Sequence, residues 1–161
     1  MTSLIIHAIL GIAVVAWIVR SNPEIFARFS GGARVSGLEL VFYLIGIASI
    51  PLCWYFNREY VIEYATGASH NPIWGPGSWT EFITLGYDNP AAASASIDYT
   101  IGNVILLPLF TIVDGRRRAI HRPWLFFVCS LFTSFAFAWA FYLGTVERQR
   151  RHQLSEIGAG V

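Results

Sequence analysis

The stretch NPAAASASIDYTIGNVILLPLFTIVDGRRRAIHRPW, residues 89–124, decides the fold. Asn89 can accept the first free N–H groups of a helix as its N-cap, and Pro90 needs no partner at the first helical position. Residues 91–113 then form an apolar run that is long enough to cross a bilayer. Three arginines at 116–118 follow it as the densest positive charge in the chain. The stretch therefore predicts a membrane-spanning helix with a fixed end.

The composition indicates a membrane protein rather than a water-soluble one. Of the 161 residues, 55% are hydrophobic and only 13% are charged, whereas soluble domains carry roughly 25% charged residues. The apolar residues also occur in long runs, which favours a bilayer over a soluble core. The net charge is +1, so the charge balance gives no sign of a nucleic-acid partner.

The apolar runs predict four membrane-spanning helices. The first run, residues 4–19, is short for a span and could instead be a signal peptide, but no arginine precedes Arg20, so the positive start of such a peptide is missing. Pro51 and Pro108 predict kinks in the second and third spans. We therefore expect an all-α membrane protein, a bundle of four transmembrane helices in one domain (1–146), with spans at about 3–20, 38–57, 91–113 and 124–146 and a polar C-terminal tail at 147–161.

The long second loop, residues 68–88, is irregular and rich in Gly, Pro and Trp. Trp74 and Trp79 are of the type that prefers the headgroup region of a bilayer. Ser78 and Glu81 have the spacing of a capping box, in which Ser is the N-cap and Glu lies three residues on. We expect a short interfacial helix here. A loop that grips a substrate or ligand with the two tryptophans is the alternative.

Three polar residues associated with the apolar runs join these tryptophans as candidate ligand-binding residues. Asp98 and Asn103 lie in the third span, where a charge costs roughly 3 kcal/mol at mid-bilayer, so such residues normally face protein or water. They could serve as buried hydrogen-bonding groups or form a site for a proton, an ion or a ligand. Glu39 begins the second span, either as an interfacial acid stabilised by the helix N-terminus or as a functional intramembrane carboxylate.

No metal or cofactor site is predicted. His7, His70, His121 and His152 lie in different segments, and the chain has no paired-His zinc motif, no phosphate-binding Gly-rich loop and no nucleophile elbow. We therefore expect no bound metal and no cofactor. The lack of a catalytic set favours a protein that is not an enzyme, without deciding the question.

The arginines predict an orientation. With four spans, seven of the eleven arginines lie on the side of the first and third links, and four lie on the other side. Because positive loops stay in the cytoplasm, the Arg-rich loops at 20–37 and 114–123 are expected to be cytoplasmic in a multi-pass protein of the cell membrane, with both termini outside. The arginines at 148, 150 and 151 oppose this placement of the C-terminus.

Several spaced features carry a resemblance to a known family: Asn89-Pro90-Ala91, Asp98 nine residues on, the acid-Gly-Arg-Arg turn at 114–117, Trp124 ten residues after that acid, and Ser134-Phe135-Ala136 before Tyr142-Leu143. With them the chain resembles a bacterial family of small membrane proteins known as domain of unknown function 2834, over roughly residues 40–146. The family usually has Glu at position 114 and lacks a counterpart to the run at 4–19. The resemblance implies a multi-pass membrane protein and no assigned activity.

Three functions remain open from the sequence. The first is an accessory or assembly protein that acts through helix packing, with the bilayer and other membrane-protein subunits or a second copy as partners. The second is a small transporter or lipid- or ligand-binding protein that uses Asp98 and Asn103. The third is an intramembrane enzyme with Glu39 and Asp98 as acid and base and the loop of Trp74 and Trp79 as a lid.

Overall fold

The computed structural model describes the backbone of residues 2–29, 33–65, 71 and 73–159, and the side chains of these residues except 2–4 and 156–159. Within these ranges the chain is all-helical, as predicted, and has no strand. The elements are α1 (Thr2–Ser21), α2 (Pro23–Phe26), α3 (Gly37–Tyr64), α4 (Trp79–Leu85), α5 (Pro90–Thr100), a π-helical turn (Ile101–Leu106), α6 (Leu107–Arg117), α7 (Leu125–Phe132) and α8 (Phe135–Ala159). The short helix predicted in the second loop is α4.

The stretch that begins at Asn89 is one long helical segment, formed by α5, the π-turn and α6. The Asn89 side chain accepts the N–H groups of Ala91 and Ala92 at 3.1 and 2.9 Å, which confirms the predicted N-cap. The Leu107 N–H bonds the Gly102 carbonyl, five residues back. Because Pro108 has no N–H and its ring crowds the preceding turn, the helix widens there. Where the sequence predicts a kink at Pro108, the structure has a π-turn in the preceding residues.

The second long helix, α3, runs antiparallel to α8 in close contact. It extends to Tyr64, beyond the predicted membrane span of residues 38–57. A Cβ placed on Gly46 would lie 3.3 Å from side-chain atoms of both Phe137 and Ala140, and one on Gly144 would lie 2.7 Å from the Tyr43 ring. Such glycines let two helix backbones approach each other. The α3–α8 pair therefore depends on small residues from both helices.

Residues 124–146, predicted as a single span, form a helical hairpin instead. The helix α7 ends at Phe132, and α8 begins at Phe135. The ring of Phe126 lies 5.5 and 5.0 Å from the rings of Phe141 and Tyr142. In one continuous helix about 22 Å would separate residues that are fifteen positions apart. The chain therefore reverses direction at residues 133–134.

The hairpin reaches only partway along the other helices. At its start, Trp124 meets Trp17 near the end of α1, with ring centroids 5.8 Å apart. At its tip, the Ser134 and Ser49 hydroxyls are 2.7 Å apart, and the Trp54 indole N–H donates to the Thr133 carbonyl at 3.3 Å. Ser49 and Trp54 lie in the middle of α3. The tip is therefore at mid-length of the bundle.

One end of the fold gathers the end of α1, the start of α3, the end of α6 and the start of α7. The Asn22 side chain joins the end of α1 to the link between α6 and α7. Its Oδ1 accepts the His121 N–H at 2.7 Å, and its Nδ2 donates to the His121 carbonyl at 3.1 Å. The returning α8 passes the same end and continues to Ala159, so the predicted polar tail is helical through that residue. We call this end the arginine-rich end, since it carries Arg20, Arg28, Arg34, Arg116, Arg117, Arg118, Arg122, Arg148, Arg150 and Arg151.

The core surrounds the hairpin, and much of the remaining surface is apolar. Residues with no exposed surface include Ile18 of α1, Leu107 of α6 and Phe126 of α7. The helix α3 and the segment Pro90–Arg117 are each 28 residues long and apolar enough to cross a bilayer, yet only 11% and 17% of their most apolar windows are buried. Ile5–Ser21 is a shorter apolar helix. Among the described residues, two helices therefore have the length and composition of membrane spans.

Candidate functional site

Asp98 lies on an outward face of α5. It is exposed, and its carboxylate forms no ion pair or hydrogen bond with any residue that the structure describes. Ala91, Ser94 and Ala95, one and two turns before it, are exposed as well. We call these four residues the Asp98 face. It is a strip of small side chains that ends in an acid.

Asn103 lies in the π-turn and is only 5% exposed. Its Nδ2 donates to the Tyr99 hydroxyl at 3.0 Å, whereas its buried Oδ1 has no hydrogen-bond partner. Rotating the amide by 180° would exchange the two atoms and still leave one of them unpaired. An unpaired buried amide atom costs about 1–3 kcal/mol. The π-turn therefore holds an unsatisfied polar group inside the fold.

Asp98 and Asn103 do not face a common cavity in this arrangement. Asp98 is exposed and Asn103 is buried. The polar partner of Asn103 is Tyr99, whose ring packs edge-on against Phe135 at the hairpin, 5.9 Å between centroids. The two residues therefore offer an outward acid and an inward amide rather than one binding site.

Glu39 is fully buried at the start of α3. It completes a capping box, because Ser36 Oγ accepts the Glu39 N–H at 3.1 Å and Glu39 Oε2 accepts the Ser36 N–H at 3.4 Å. Arg148 Nη1 and Arg151 Nη1 each donate to one of its carboxylate oxygens at 2.9 Å. The sequence left two roles open for Glu39, an interfacial acid stabilised by the helix N-terminus or a functional intramembrane carboxylate. The structure uses the helix-end role and adds two arginines from α8.

The same two arginines hold the link between α2 and α3. Arg148 Nε donates to the Ile25 carbonyl at 2.8 Å, and Arg151 Nη2 donates to the Ala33 carbonyl. Both guanidinium groups lie over the Phe29 ring, 5.1 and 4.3 Å from its centroid. We call Glu39, Arg148, Arg151 and Phe29 the Glu39 clamp. It joins α3, α8 and the link at the arginine-rich end.

A second acid of α8, Glu147, lies beside the clamp. Its carboxylate accepts two hydrogen bonds of 2.9 Å from Arg150 and one of 3.4 Å from Ser36 Oγ. The hydrogen bonds from Arg150 lower the pKa of Glu147 below its ordinary value. Glu147 is therefore a paired carboxylate beside the clamp.

Glu39 and Asp98 lie far apart, so the structure does not form the acid–base pair of the enzyme hypothesis. Tyr99, next to Asp98, packs at the hairpin tip, and so does Trp54 of α3. Glu39 precedes Trp54 by fifteen residues of α3, a distance of about 22 Å along the helix. A shared proton between these two carboxylates is therefore geometrically excluded.

Trp74 and Trp79 are 66% and 54% exposed in the second loop. The loop itself is held from inside, because Glu81 Oε2 accepts the Gly77 N–H at 2.6 Å and the Tyr60 hydroxyl at 3.1 Å. The predicted capping box is half formed: Ser78 Oγ accepts the Glu81 N–H at 3.2 Å, while the Glu81 side chain bonds Gly77 instead. The tryptophans are thus presented outward on a fixed loop.

The described ranges contain no group of three or more His, Cys, Asp or Glu side chains that could hold a metal ion. His70 lies outside the described residues. The two arginines of the Glu39 clamp were missed by sequence reasoning, although two signals pointed to them. Ser36 and Glu39 have capping-box spacing, and Arg148 and Arg151 are three residues apart on one helix face.

The described part of the chain is all-helical, and two of its helices are long and apolar enough to cross a membrane. The family described as "Protein of unknown function DUF2834" matches residues 41–148. The chain belongs to this family, and the resemblance read from its sequence is confirmed. The matched region runs from α3 to Arg148, so α1 and Glu39 lie before it. No curated protein and no solved structure matches the chain.

Proposed function

We propose that the chain is an integral protein of the cell membrane with three spanning segments, α1, α3 and Pro90–Arg117, and a re-entrant hairpin, α7–α8. The largely unburied apolar windows of α3 and Pro90–Arg117 support this arrangement, because large exposed apolar surfaces are rare on soluble proteins. The 8-residue length of α7, about 12 Å, is too short to cross a core of about 30 Å. Three spans therefore replace the four expected from the apolar runs.

The charge distribution supports the same topology. With a re-entrant hairpin, ten of the eleven arginines fall on one side, and Arg58 alone falls on the other. The arginines of α8, which opposed a four-span orientation, then agree with the loops at 20–37 and 114–123. By the positive-inside tendency this side is cytoplasmic. The C-terminus is then cytoplasmic and residue 2 lies outside.

Within the membrane the protein acts as an accessory or assembly partner, through helix packing and without catalysis. The observation that carries this function is the outward placement of Asp98. From Pro90 to Asp98 the helix rises about 12 Å, which puts the acid two turns into a segment that crosses a hydrocarbon core of about 30 Å. A charge at that depth normally faces protein or water.

The neighbours of Asp98 favour a helix as the covering group. Ser94 and Ala95 are small and exposed on the same face, and small residues allow the close approach of another helix in lipid. A hydrogen-bond donor or a basic group on that helix would satisfy the carboxylate. The partner is another membrane-protein subunit or a second copy of this chain.

The test is the size of the particle extracted in a mild detergent. We expect wild-type protein to resist alkaline carbonate extraction and to elute as a complex larger than the 18.0 kDa chain. Ser94→Phe should release the monomer, because the bulky ring blocks the Asp98 face. Leu44→Phe, at an exposed position of α3, is the control and should leave the complex intact. A monodisperse wild-type monomer would contradict the function.

A small transporter or ligand binder is the second candidate. Asn103 favours it, because it lies in a π-turn, a feature frequent at functional sites, and its buried unpaired amide atom calls for an explanation. On this function Asp98→Asn and Asn103→Leu both abolish a proton- or ion-coupled flux in proteoliposomes. If the protein is instead an accessory protein, neither the wild type nor the two variants carry such a flux.

A further inference from the structure

A groove runs along the outer side of α6 where it meets α8. Its volume is about 500 Å³, within the range of sites that hold small molecules. Its apolar lining consists of Leu106, Leu109, Phe110, Val113 and Trp139. Asp114 and Arg117 line its other end, which belongs to the arginine-rich end. The groove is therefore apolar along most of its length and charged at its mouth.

The net charge at this mouth is positive. Asp114 is already paired, because its Oδ2 accepts the Tyr142 hydroxyl and Arg118 Nε, each at 2.7 Å. Arg117 is exposed and makes no ion pair with any described residue. Its guanidinium has five N–H donors in a geometry that suits phosphate. Arg117 acts on Asp114 through its charge, but its N–H donors form no ion pair with a described residue and stand beside the apolar part of the groove.

The groove has the dimensions and the polarity of a site for an amphiphile. From Leu106 to Arg117 the helix rises about 16 Å. In the proposed topology this length runs from the hydrocarbon to the cytoplasmic headgroup layer, where anionic lipids attract arginines. We propose that this groove binds one anionic phospholipid, with an acyl chain along the apolar lining and the phosphate bonded by Arg117. The site depends on the proposed membrane location and not on the proposed partner.

The binding test uses delipidated full-length protein in a neutral detergent. Dioleoyl phosphatidylglycerol should raise the thermal unfolding temperature saturably, because a ligand of the folded state stabilises it. Dioleoyl phosphatidylcholine, which has no net charge, and inorganic phosphate, which has no acyl chain, should have little effect. Equal effects of the two lipids would overturn the role of Arg117, and an effect of phosphate alone would overturn the role of the groove.

Two matched pairs of variants locate the site. Arg117→Gln should weaken the apparent affinity for phosphatidylglycerol about fivefold, the factor for one arginine at an anionic headgroup, whereas Arg116→Gln, which does not line the groove, should change it less than twofold. Leu109→Trp should fill the groove and abolish saturable binding. Ile105→Trp, at an exposed position outside the lining, should not.

Equal losses in both arginine variants would mean a general basic surface and would overturn the proposal. Unchanged affinity in Leu109→Trp would overturn it as well. Carbonate extraction of the same variants separates this outcome from a failure of the membrane location. Protein that stays in the membrane but binds phosphatidylglycerol no better than phosphatidylcholine disproves the lipid site alone.

Discussion

A carboxylate with no exposed surface joins two distant parts of the chain. Glu39 is balanced by Arg148 and Arg151, whose side chains are only 13% and 17% exposed. The two guanidinium groups carry more positive charge than Glu39 carries negative charge. The face of the Phe29 ring and the carbonyls of the link partly offset this excess. Such a cluster is costly to desolvate and very costly to break. The clamp therefore fixes which parts of the chain meet at the arginine-rich end.

Glu39→Gln should lower the free energy of unfolding by about 3 kcal/mol, because it leaves two largely buried guanidinium groups without a counter-charge. Thermal or denaturant unfolding in detergent would measure the loss. Glu59→Gln is the matched control, since Glu59 and Arg58 are 44% and 48% exposed and surface pairs contribute little. A loss below about 0.5 kcal/mol in both variants would show that the clamp does not stabilise the fold.

The hairpin α7–α8 is the element on which the topology depends. It turns within two residues, and Ser134 serves the turn twice: its Oγ accepts the Phe137 N–H at 3.0 Å and lies 2.7 Å from the Ser49 hydroxyl. The first contact caps α8, and the second joins the tip to α3. One hydroxyl therefore both begins a helix and positions it.

Ser134→Ala should destabilise the protein by about 1 kcal/mol or more, the usual cost of a lost N-cap. Ser130→Ala is the control, because Ser130 is equally buried and its hydroxyl bonds only the Phe127 carbonyl of its own helix. The difference in unfolding temperature between the two variants measures the cap. Identical unfolding temperatures of the two variants would show that the Ser134 hydroxyl does not stabilise the hairpin tip.

In the proposed membrane topology, the α7–α8 hairpin determines on which side of the bilayer the C-terminus lies. A re-entrant hairpin returns α8 to the arginine-rich end, whereas a fourth span would carry it across. In the first case nearly all of the positive charge shares one compartment, which is the distribution expected of membrane proteins. The position of the C-terminus therefore distinguishes the two topologies.

Green fluorescent protein fused after residue 161 should fluoresce, and alkaline phosphatase fused at the same position should be inactive, because the C-terminus is cytoplasmic in the three-span topology. The same reporters inserted after Asp88, in the exposed second loop, should give the opposite result. Active phosphatase at the C-terminus would contradict the three-span topology and support the bundle of four spans.

The features that the sequence predicts well are those decided locally. Asn89 and Pro90 specify a helix start by their own chemistry, and Pro108 disturbs the helix because it lacks an N–H. The reversal after Phe132 is different, because a largely apolar run with a few hydroxyl residues, Thr133 and Ser134 among them, can form either one long helix or two antiparallel halves. Only packing of Gly46 and Ser49 of α3 against the hairpin separates the two. The clamp likewise joins residues more than a hundred positions apart.

The position of the hairpin tip has a consequence for biogenesis. In the proposed topology the turn at residues 133–134 lies at mid-depth of the bilayer, where its backbone groups need protein around them. The groups around the tip come from earlier parts of the chain: Ser49, Trp54 and the Gly11 region of α1. In the proposed membrane location the hairpin tip therefore needs both α1 and α3 beside it, so we expect α7–α8 to dock on these two helices rather than to insert independently of them.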